Sequence, residues 1–373
     1  MSGKRRMEIL VYHIGSLGDT LVAVPSLWVI RENFPDAYIT MLTDDQPGRN
    51  LVQPSQILDG SGLIDDYITY PGLRPLAMAR LLFSILKRNF DALVYLIRAG
   101  NHASRISRDI RFFKLAGIRN FIGTEGFYDY PSKQPGRPIP VVPRAADALL
   151  ERLRTSGLRT PPAGRGRIDL NIGDSERESV NEWLAALPPD GARRWVAISV
   201  GSKMPCKIWP LERYSAVVSE LIKEYDLWPV VFGGPSDRKT GEKLITELGR
   251  GYVAAGELSV RQSIAAMKRC VLYLGNDTGA MHMAVAGGKR CVVPFSSRED
   301  PGRWYPYGDG HLILRTPVSC EGCMLTECVV RKAECILSIS VEQVLQACRE
   351  IIYERTAVNV SKVLTGGYLC ING

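Results

Sequence analysis

The sequence alternates short apolar strands with helices, and this alternation constrains the fold more than any other feature of the chain. An apolar strand is predicted over residues 8–14, and a glycine-containing turn over 15–19 follows it. Apolar residues at helical spacing then predict a helix over 21–33, and a second strand is predicted over 37–42. Strands that alternate with helices in this way form parallel α/β sheets.

The same rhythm restarts in the second half of the chain. Two breaks rich in proline and glycine, at residues 160–166 and 188–191, separate the halves. A buried strand is predicted over 195–200, and another over 270–274 leads into a further glycine-containing turn. The second half is therefore expected to build a parallel sheet of its own.

Two α/β domains in tandem are the expected architecture. We predict Rossmann-like, doubly wound domains over residues 1–175 and 190–350, with a C-terminal tail over 351–373. Ligands of such sheets bind outside the carboxyl ends of the strands, and the main cleft of a protein of this kind is expected between the domains.

The net charge of the chain indicates the chemistry of its partners. The 373 residues carry a formal net charge of +8, which favours nucleotide phosphates, acidic glycolipids or an anionic membrane surface. Basic residues concentrate between Arg98 and Arg119, where Asp109 is the only acid. This stretch is either a solvated helical face or a docking surface for phosphorylated substrate or lipid headgroups. No recognition motif supports nucleic-acid binding.

No apolar stretch of the sequence reaches the roughly 20 residues needed to span a bilayer. The apolar run near the N-terminus is short and is interrupted by Gly15 and Gly18, so it does not predict a signal peptide. We expect a cytoplasmic protein with peripheral contact to the inner face of the cytoplasmic membrane. Its cysteines are then expected to be thiols or metal ligands rather than disulfides.

The first glycine turn places several ligand-binding features at the end of a predicted strand. Gly15 and Gly18 let the backbone approach a ligand closely, and Ser16 lies between them. The N-terminus of the following helix points amide donors towards the same place. Asp19 near that N-terminus is typical of a helix cap, and the local sequence alone favours that role.

The second glycine turn combines groups that suit a diphosphate. Asp277, Thr278 and Gly279 precede a predicted helix, where a hydroxyl, free amides and the positive end of the helix dipole coincide. His282 follows one turn into that helix and is either an anion contact or a half-buried structural histidine. The chain has only four histidines, which makes this placement more informative.

A third candidate region follows the strand predicted over 195–200. Lys207 places a cation near the carboxyl end of that strand, suited to the negative charge that develops on a leaving phosphate. The alternative for Lys207 is a solvent-facing loop lysine. Trp209 either stacks on a base or is buried in the core.

These stretches, in this order, resemble the heptosyltransferase-type glycosyltransferases (glycosyltransferase family 9, GT-B fold). The similarity spans nearly the whole chain. The matching segments are residues 9–19, 34–37, 207–210, 233–235, 256–259, 275–279 with His282, and 303–308.

The resemblance implies a role for each candidate residue. Asp19 would be the general base, on the acceptor side with Gly15, Ser16 and Gly18. Lys207 would stabilise the departing diphosphate. The remaining donor-side residues would be Trp209, Asp237 (a ribose contact), Asp277 (orienting the turn or contacting the sugar), Thr278, Gly279 and His282.

The resemblance also implies the reaction. Members are inverting and need no metal for catalysis, so no cofactor is expected. The donor would be a nucleotide sugar, with ADP-heptose favoured, and the acceptor an anionic glycolipid or oligosaccharide of the lipopolysaccharide core or another surface glycan. The alternatives are a family member that uses another nucleotide sugar, or a nucleotide-sugar epimerase or sensor on the same fold.

Four cysteines lie close together near the end of the second half: Cys320, Cys323, Cys328 and Cys335. Their spacing fits neither the common zinc template nor the common iron–sulfur template. Reduced thiols that pack a C-terminal loop are the favoured interpretation, and a structural zinc is the alternative. A catalytic metal is not expected, because the cluster lies far along the chain from Asp19.

Overall fold

A computed structural model describes residues 5–44, 51–70, 72, 75–97, 103–134, 137–329 and 331–358. The chain divides into two compact units. Unit 1 comprises Met1–Ser132 and Val142–Gly173, and unit 2 comprises Lys133–Val141 and Asp174–Gly373. Arg98, which opens the basic stretch of the sequence, and residues 359–373 of the predicted tail lie outside the described residues.

Unit 1 follows the predicted alternation of strands and helices. Its strands are β1 (Glu8–Tyr12), β2 (Tyr38–Asp44), β3 (Asp66–Tyr70), β4 (Ala92–Tyr95) and β5 (Asn120–Ile122). Its helices are α1 (Leu17–Asn33), α2 (Ser55–Leu58), α3 (Pro75–Arg88), α4 (Ala103–Leu115) and α5 (Ala145–Thr155).

The described strands of unit 1 form a parallel sheet with the order β3-β2-β1-β4-β5. The chain reverses direction across the sheet between β1 and β4, so this position is the topological switch point where ligands of such sheets bind. The turn over 15–19 leaves β1 at that point. Apolar side chains such as Leu10, Leu93 and Ile85 bury the sheet beneath α3 and α4.

Unit 2 repeats the pattern with one more strand. Its strands are β6 (Trp195–Ser199), β7 (Trp228–Val231), β8 (Tyr252–Val253), β9 (Cys270–Gly275), β10 (Cys291–Pro294) and β11 (Leu312–Leu314). Its helices are α6 (Asp174–Ala185), α7 (Leu211–Tyr225), α8 (Arg238–Leu248), α9 (Val260–Met267), α10 (Gly279–Ala286), α11 (Glu334–Leu337) and α12 (Val341–Val358).

The sheet of unit 2 has the order β11-β10-β9-β6-β7-β8, again parallel throughout its described strands. This is the strand order of a six-stranded Rossmann sheet, and its switch point lies between β6 and β9. The loop that carries Lys207 leaves β6, and the turn that carries Asp277 leaves β9. The topology therefore brings two distant candidate segments to the same edge of one sheet.

Some element boundaries differ from the sequence-based prediction. Helix α1 begins at Leu17 rather than at residue 21, because Ser16 has an extended backbone and caps the helix. Helix α12 runs through residues 351–358, where the prediction began a tail. The segment 133–141 belongs to unit 2, where Lys133 Nζ donates hydrogen bonds to the carbonyls of Ser319 (3.0 Å) and Glu321 (2.7 Å).

The α/β fold class predicted from the alternating pattern is confirmed by both sheets. Among the helices that the structure describes, none is both long and apolar enough to cross a membrane.

Candidate active site

The turn after β1 is built around the side chain of Asp19. Asp19 Oδ2 accepts hydrogen bonds from the Ser16 backbone N–H (3.0 Å) and from Ser16 Oγ (3.3 Å). A Cβ atom at Gly15 would lie 2.3 Å from Asp19 Cβ, which no real structure tolerates. Only glycine therefore fits at Gly15, because the aspartate packs directly over its Cα atom. The helix-capping role that the local sequence favours for Asp19 is present, and it fixes the carboxylate at the switch point.

A buried polar cluster lies beside this turn at the ends of β1 and β4. The Tyr95 hydroxyl donates a 2.9 Å hydrogen bond to Asp109, and the Tyr12 and Tyr95 rings meet edge to face at 5.6 Å. Burial, and secondly the charge of Asp109, raise the pKa of both tyrosines well above the ordinary value. Arg108 pairs with the same carboxylate at 2.9 Å. Both tyrosines therefore stay protonated, and their side chains pack together at the carboxyl ends of β1 and β4.

His13, the residue directly after β1, is a second buried polar side chain beside this turn. Its Nε2 atom lies 3.1 Å from Thr20 Oγ1, with both side chains buried. Neither His13 nor Tyr12 was singled out as a site residue from the sequence, although both directly follow the first strand's apolar run. Their position after a central strand is the signal that would have found them.

In unit 2, Lys207 and Asp277 form a buried ion pair at the switch point between β6 and β9. Lys207 Nζ lies 2.5 Å from Asp277 Oδ2, and the two residues are 8% and 5% exposed. Lys207 ends a single 3₁₀ turn, Pro205–Lys207, after the loop that leaves β6. The solvent-facing alternative for Lys207 is therefore wrong.

Charges around this pair form a compact network of two cations and two anions. Glu299 Oε1 lies 3.9 Å from Lys207 Nζ and also pairs with Arg298, while Trp304 Nε1 donates a hydrogen bond to Glu299 Oε2. Burial raises the pKa of Asp277 above its ordinary value, and the charge of Lys207 opposes that shift. Burying ion pairs costs desolvation energy, so such a network is weak evidence for stability and stronger evidence for positioning.

Asn276 ties the elements of this site together. It is fully buried, and its Oδ1 atom accepts hydrogen bonds from the Trp209 N–H (3.0 Å) and the Tyr214 hydroxyl (2.9 Å). Its Nδ2 atom donates to the Val200 carbonyl at 3.0 Å. One amide side chain thus fixes the end of β6, the loop after Lys207 and helix α7. Asn276, Glu299 and Arg298 were not identified as site residues from the sequence.

Trp209 lies in the core and not on a ligand surface. Its side chain is fully buried, its Nε1 atom donates a 3.0 Å hydrogen bond to the Ile339 carbonyl, and its ring packs edge to face on Tyr214 at 4.9 Å. This burial leaves no ring face for a nucleobase. The structure therefore corrects the donor-binding assignment of Trp209: it anchors the loop that carries Lys207, because its apolar area is removed from water.

The turn after β9 presents the N-terminus of α10 next to the ion pair. Thr278 has an extended backbone and occupies the N-cap position, and Gly279 begins the helix. The first amides of a helix have no intrahelical acceptor and favour anions. His282 is buried one turn further on, with its ring centroid 6.5 Å from that of Trp304. The structure thus brings Lys207, Asp277 and this helix terminus together.

Asp237 occupies the space between the ends of β6 and β7. Its Oδ2 atom accepts a 2.8 Å hydrogen bond from the Gly234 N–H, in the manner of Asp19. A Cβ atom at Gly201 would lie 1.9 Å from Asp237 Oδ1, and one at Gly233 would lie 2.5 Å from Oδ2. A side chain at either glycine would displace this carboxylate, because the carboxylate lies against the backbone there. The ribose contact predicted for Asp237 stays a prediction.

The cysteine-bearing segment packs near the Lys207 turn. The Cys206 thiol donates a hydrogen bond to the Leu325 carbonyl at 3.0 Å. Burial raises the pKa of the Cys335 thiol, and the neighbouring cysteines add to that shift. Within the described residues, no three His, Cys, Asp or Glu side chains are arranged to hold a metal ion. The structural zinc that the sequence leaves as an alternative stays a prediction.

Two Rossmann-type units in one chain, each with polar turns at its switch point, define a protein of the GT-B fold class. Residues 164–334 match the family model of glycosyltransferase family 9 (heptosyltransferase). Over these residues the match bears out the resemblance seen in the sequence.

Curated relatives align with part of the chain. Lipopolysaccharide heptosyltransferase 2 of Salmonella typhimurium is 32% identical over 88 residues, which are 22% of this chain and 25% of that protein. The Escherichia coli protein of the same name is 32% identical over 95 residues, 24% of this chain and 27% of that protein. The alignments thus span about a quarter of these relatives.

Solved structures share the fold over most of the chain. A glycosyl transferase family 9 protein from Veillonella parvula has a TM-score of 0.70 at 22% identity, covering 93% of this chain and 98% of that one. The E. coli ADP-heptose lipopolysaccharide heptosyltransferase II has a TM-score of 0.66 at 17% identity, covering 94% and 100%. At these identities the likeness establishes the fold.

Proposed function

We propose that the protein is an inverting, metal-independent glycosyltransferase. It would transfer heptose from ADP-heptose to a hydroxyl of a lipopolysaccharide-core or other surface-glycan acceptor at the inner face of the membrane. The observation that carries the proposal is the buried Lys207–Asp277 ion pair beside the N-terminus of α10. Heptose is favoured because the relatives are named heptosyltransferases.

On the donor side, Lys207 would neutralise the negative charge that develops on the departing nucleoside diphosphate. The backbone amides of Gly279 and its neighbours would accept the same charge at the helix terminus. Asp277 would hold the Lys207 ammonium in place before the reaction, so that little reorganisation is needed in the transition state. His282 would complete the anion-binding edge.

On the acceptor side, Asp19 would act as general base. Its carboxylate takes the proton of the acceptor hydroxyl while the acceptor oxygen forms a bond to the anomeric carbon. The bond from that carbon to the phosphate oxygen breaks, and its electron pair leaves with the nucleoside diphosphate. A single displacement inverts the anomeric configuration. Gly15 and Ser16 keep the base at the end of β1.

The reaction is tested by mass spectrometry with the purified full chain. The protein is incubated with ADP-, GDP- and UDP-linked sugars and a glycolipid extract, with and without EDTA. Release of ADP that requires both ADP-heptose and acceptor, and that is unchanged by EDTA, is the expected result. NMR of the product should show an anomeric configuration opposite to that of the donor.

Other outcomes of this experiment contradict specific parts of the proposal. Release that stops with EDTA and returns with a divalent cation would refute metal independence. A changed sugar nucleotide without acceptor would support the epimerase alternative. Donor binding with no turnover under any combination would support a sugar-nucleotide sensor.

A further inference from the structure

The exposed large apolar side chains that the structure describes in unit 1 lie on α3 and at the end of α4. Among the described residues of this unit, the exposed large apolar side chains are Leu76, Phe83, Leu86 and Leu115. Leu76 is 81% exposed, Leu115 73% and Phe83 68%. All lie on α3 or at the end of α4. Single exposed apolar residues are ordinary, but a concentration of them on adjoining helices marks an interaction site.

Helix α3 presents these residues on a single face together with basic residues. Leu76, Arg80, Phe83 and Lys87 follow one another at spacings of four, three and four, which places them on one side of the helix. All four are exposed, whereas Leu81 on the opposite side is buried in the core. Helix α3 therefore has two distinct faces. The inner face packs on the sheet, and the outer face carries both apolar and cationic side chains.

The end of α4 extends this surface. A Cβ atom at Gly117 would lie 3.3 Å from Leu86 Cδ2, so the end of α3 touches the residues that follow α4. Arg111 and Lys114 are exposed on α4 itself, next to Leu115. We call the outer face of α3 with the end of α4, residues 76–87 and 111–119, the α3–α4 face.

The charge of the α3–α4 face is positive and unneutralised. Within the part of the chain that the structure describes, none of its basic side chains forms an ion pair; they are Arg80, Lys87, Arg111, Lys114 and Arg119. The only acid of α3 and α4 is Asp109, which is 6% exposed and pairs with Arg108. The face thus combines at least five cations, four large apolar side chains and no exposed carboxylate.

We propose that the α3–α4 face docks on an anionic lipid bilayer. Basic side chains would meet anionic headgroups, while Leu76 and Phe83 would enter the boundary between headgroups and acyl chains. A second copy of the chain fits less well, because a symmetric contact would bring the same cations together. The inference rests on the proposed function in one respect: a glycolipid acceptor would be presented at the same bilayer.

Vesicle binding tests the inference without requiring catalysis. The full chain is sedimented with vesicles of phosphatidylglycerol and phosphatidylethanolamine, and separately with phosphatidylcholine vesicles, at low and high salt. We expect binding to the anionic vesicles that weakens with salt and little binding to the neutral ones. Lys87→Ala with Lys114→Ala should weaken binding about tenfold or more, since each basic residue near the surface contributes about 1 kcal/mol.

Matched variants separate this face from the rest of the surface. Lys239→Ala with Lys243→Ala removes two exposed lysines of α8 and should leave vesicle binding unchanged. Leu76→Ser should weaken binding, whereas Val329→Ser, which changes a residue of similar exposure (77%), should not. Circular dichroism melting confirms that each variant folds.

Three outcomes would overturn the inference. The first is equal binding to neutral and anionic vesicles. The second is an equal loss of vesicle binding in the Lys87/Lys114 and the Lys239/Lys243 double variants. The third is a dimer, detected by light scattering, that becomes monomeric in Leu76→Ser. Turnover of a water-soluble acceptor should be the same in all these variants. A protein that binds vesicles but transfers no sugar would contradict the proposed function and leave this inference intact.

Discussion

Asp19 and Asp277 follow central strands at the switch points of the two sheets, yet they are held in opposite ways. Asp19 is partly exposed and is bound by Ser16, three residues away in the chain. Asp277 is buried and is bound by Lys207, 70 residues away. The contrast shows that the position of Asp19, the proposed general base, is set within one turn of the chain. The position of the Lys207–Asp277 pair, proposed to bind the donor diphosphate, is set by the strand order of the sheet.

The largest expected effect comes from removing the locally held carboxylate. Asp19→Ala should lower kcat by about 10²- to 10⁴-fold, because general-base catalysis contributes about that much. The free energy of unfolding should fall by only about 0.5–2 kcal/mol, the cost of losing a helix cap. The rate of ADP release at saturating substrate gives kcat, and urea denaturation gives the free energy of unfolding.

The matched control for this prediction is Gln262→Ala, which removes the corresponding side chain of the capping box that opens α9. It should cost about as much stability without reducing kcat. If both variants lose activity to the same extent, Asp19 acts only as a cap and the general-base role is wrong.

The second prediction breaks the ion pair of unit 2. Lys207→Met should lower kcat by about 10²- to 10³-fold, the range for removing one group that stabilises developing charge. It should also cost about 3–5 kcal/mol of stability, since Asp277 is left buried without its partner. Lys207→Met with Asp277→Asn should recover most of that stability but none of the activity, measured by denaturation and turnover side by side.

This double variant decides between two roles for Lys207. A double variant that regains turnover together with stability would show that Lys207 is structural. Lys223→Met, at an exposed position on α7, serves as the control and should change neither quantity.

The third prediction concerns the residue that connects the elements of the donor side. Asn276→Ala should lower the free energy of unfolding by about 1–3 kcal/mol, because the Trp209 N–H and the Tyr214 hydroxyl lose a buried acceptor. Urea denaturation measures the change. Asn181→Ala, at an exposed position on α6, is the control and should have little effect. Equal effects at the two positions would contradict the bridging role of Asn276.

The smallest effect is in the pH dependence, where Asp277 of unit 2 should differ from Asp65 of unit 1. Burial raises the pKa of Asp277 above its ordinary value of about 3.8. The Lys207–Asp277 pair is therefore complete above that raised pKa and is lost as the pH falls through it. We expect kcat to decline on the acid side as the pH falls through this raised pKa, with about a tenfold loss per pH unit below it.

Asp65 in unit 1 provides the contrast for this pH experiment. Its pKa is lowered by the Ile39 N–H and by Arg31, despite partial burial. Its contribution to stability is therefore present above the ordinary aspartate pKa and is lost only as the pH falls through the lowered value. Activity should decline before unit 1 loses stability; a melting temperature that falls in step with kcat would contradict this assignment.

Much of the fold could be predicted from the sequence because its signals are local. Apolar runs, glycine turns and helical spacing reveal strands and helices without knowledge of distant contacts. The start of α1 was placed too late, since Gly18 looks like a turn residue while Ser16 actually caps the helix before it. For Trp209 the sequence leaves two roles open, stacking on a base or burial in the core, and only tertiary contacts decide between them. Its burial depends on Ile339 and Tyr214, which no local pattern connects to it.

The sequence by itself determined the order of the strands and helices, the glycine turns and the identity of Asp19, Lys207 and Asp277 as candidates. It did so because caps, turns and periodicity act over a few residues. Tertiary structure alone decided that Lys207 pairs with Asp277 beside Glu299 and that Asn276 joins the surrounding loops. The physical reason is that the neighbouring positions of β9 and β6 bring distant loops to one edge of the sheet. Burial at that edge lowers the effective dielectric constant, so the charges interact more strongly and are held in place.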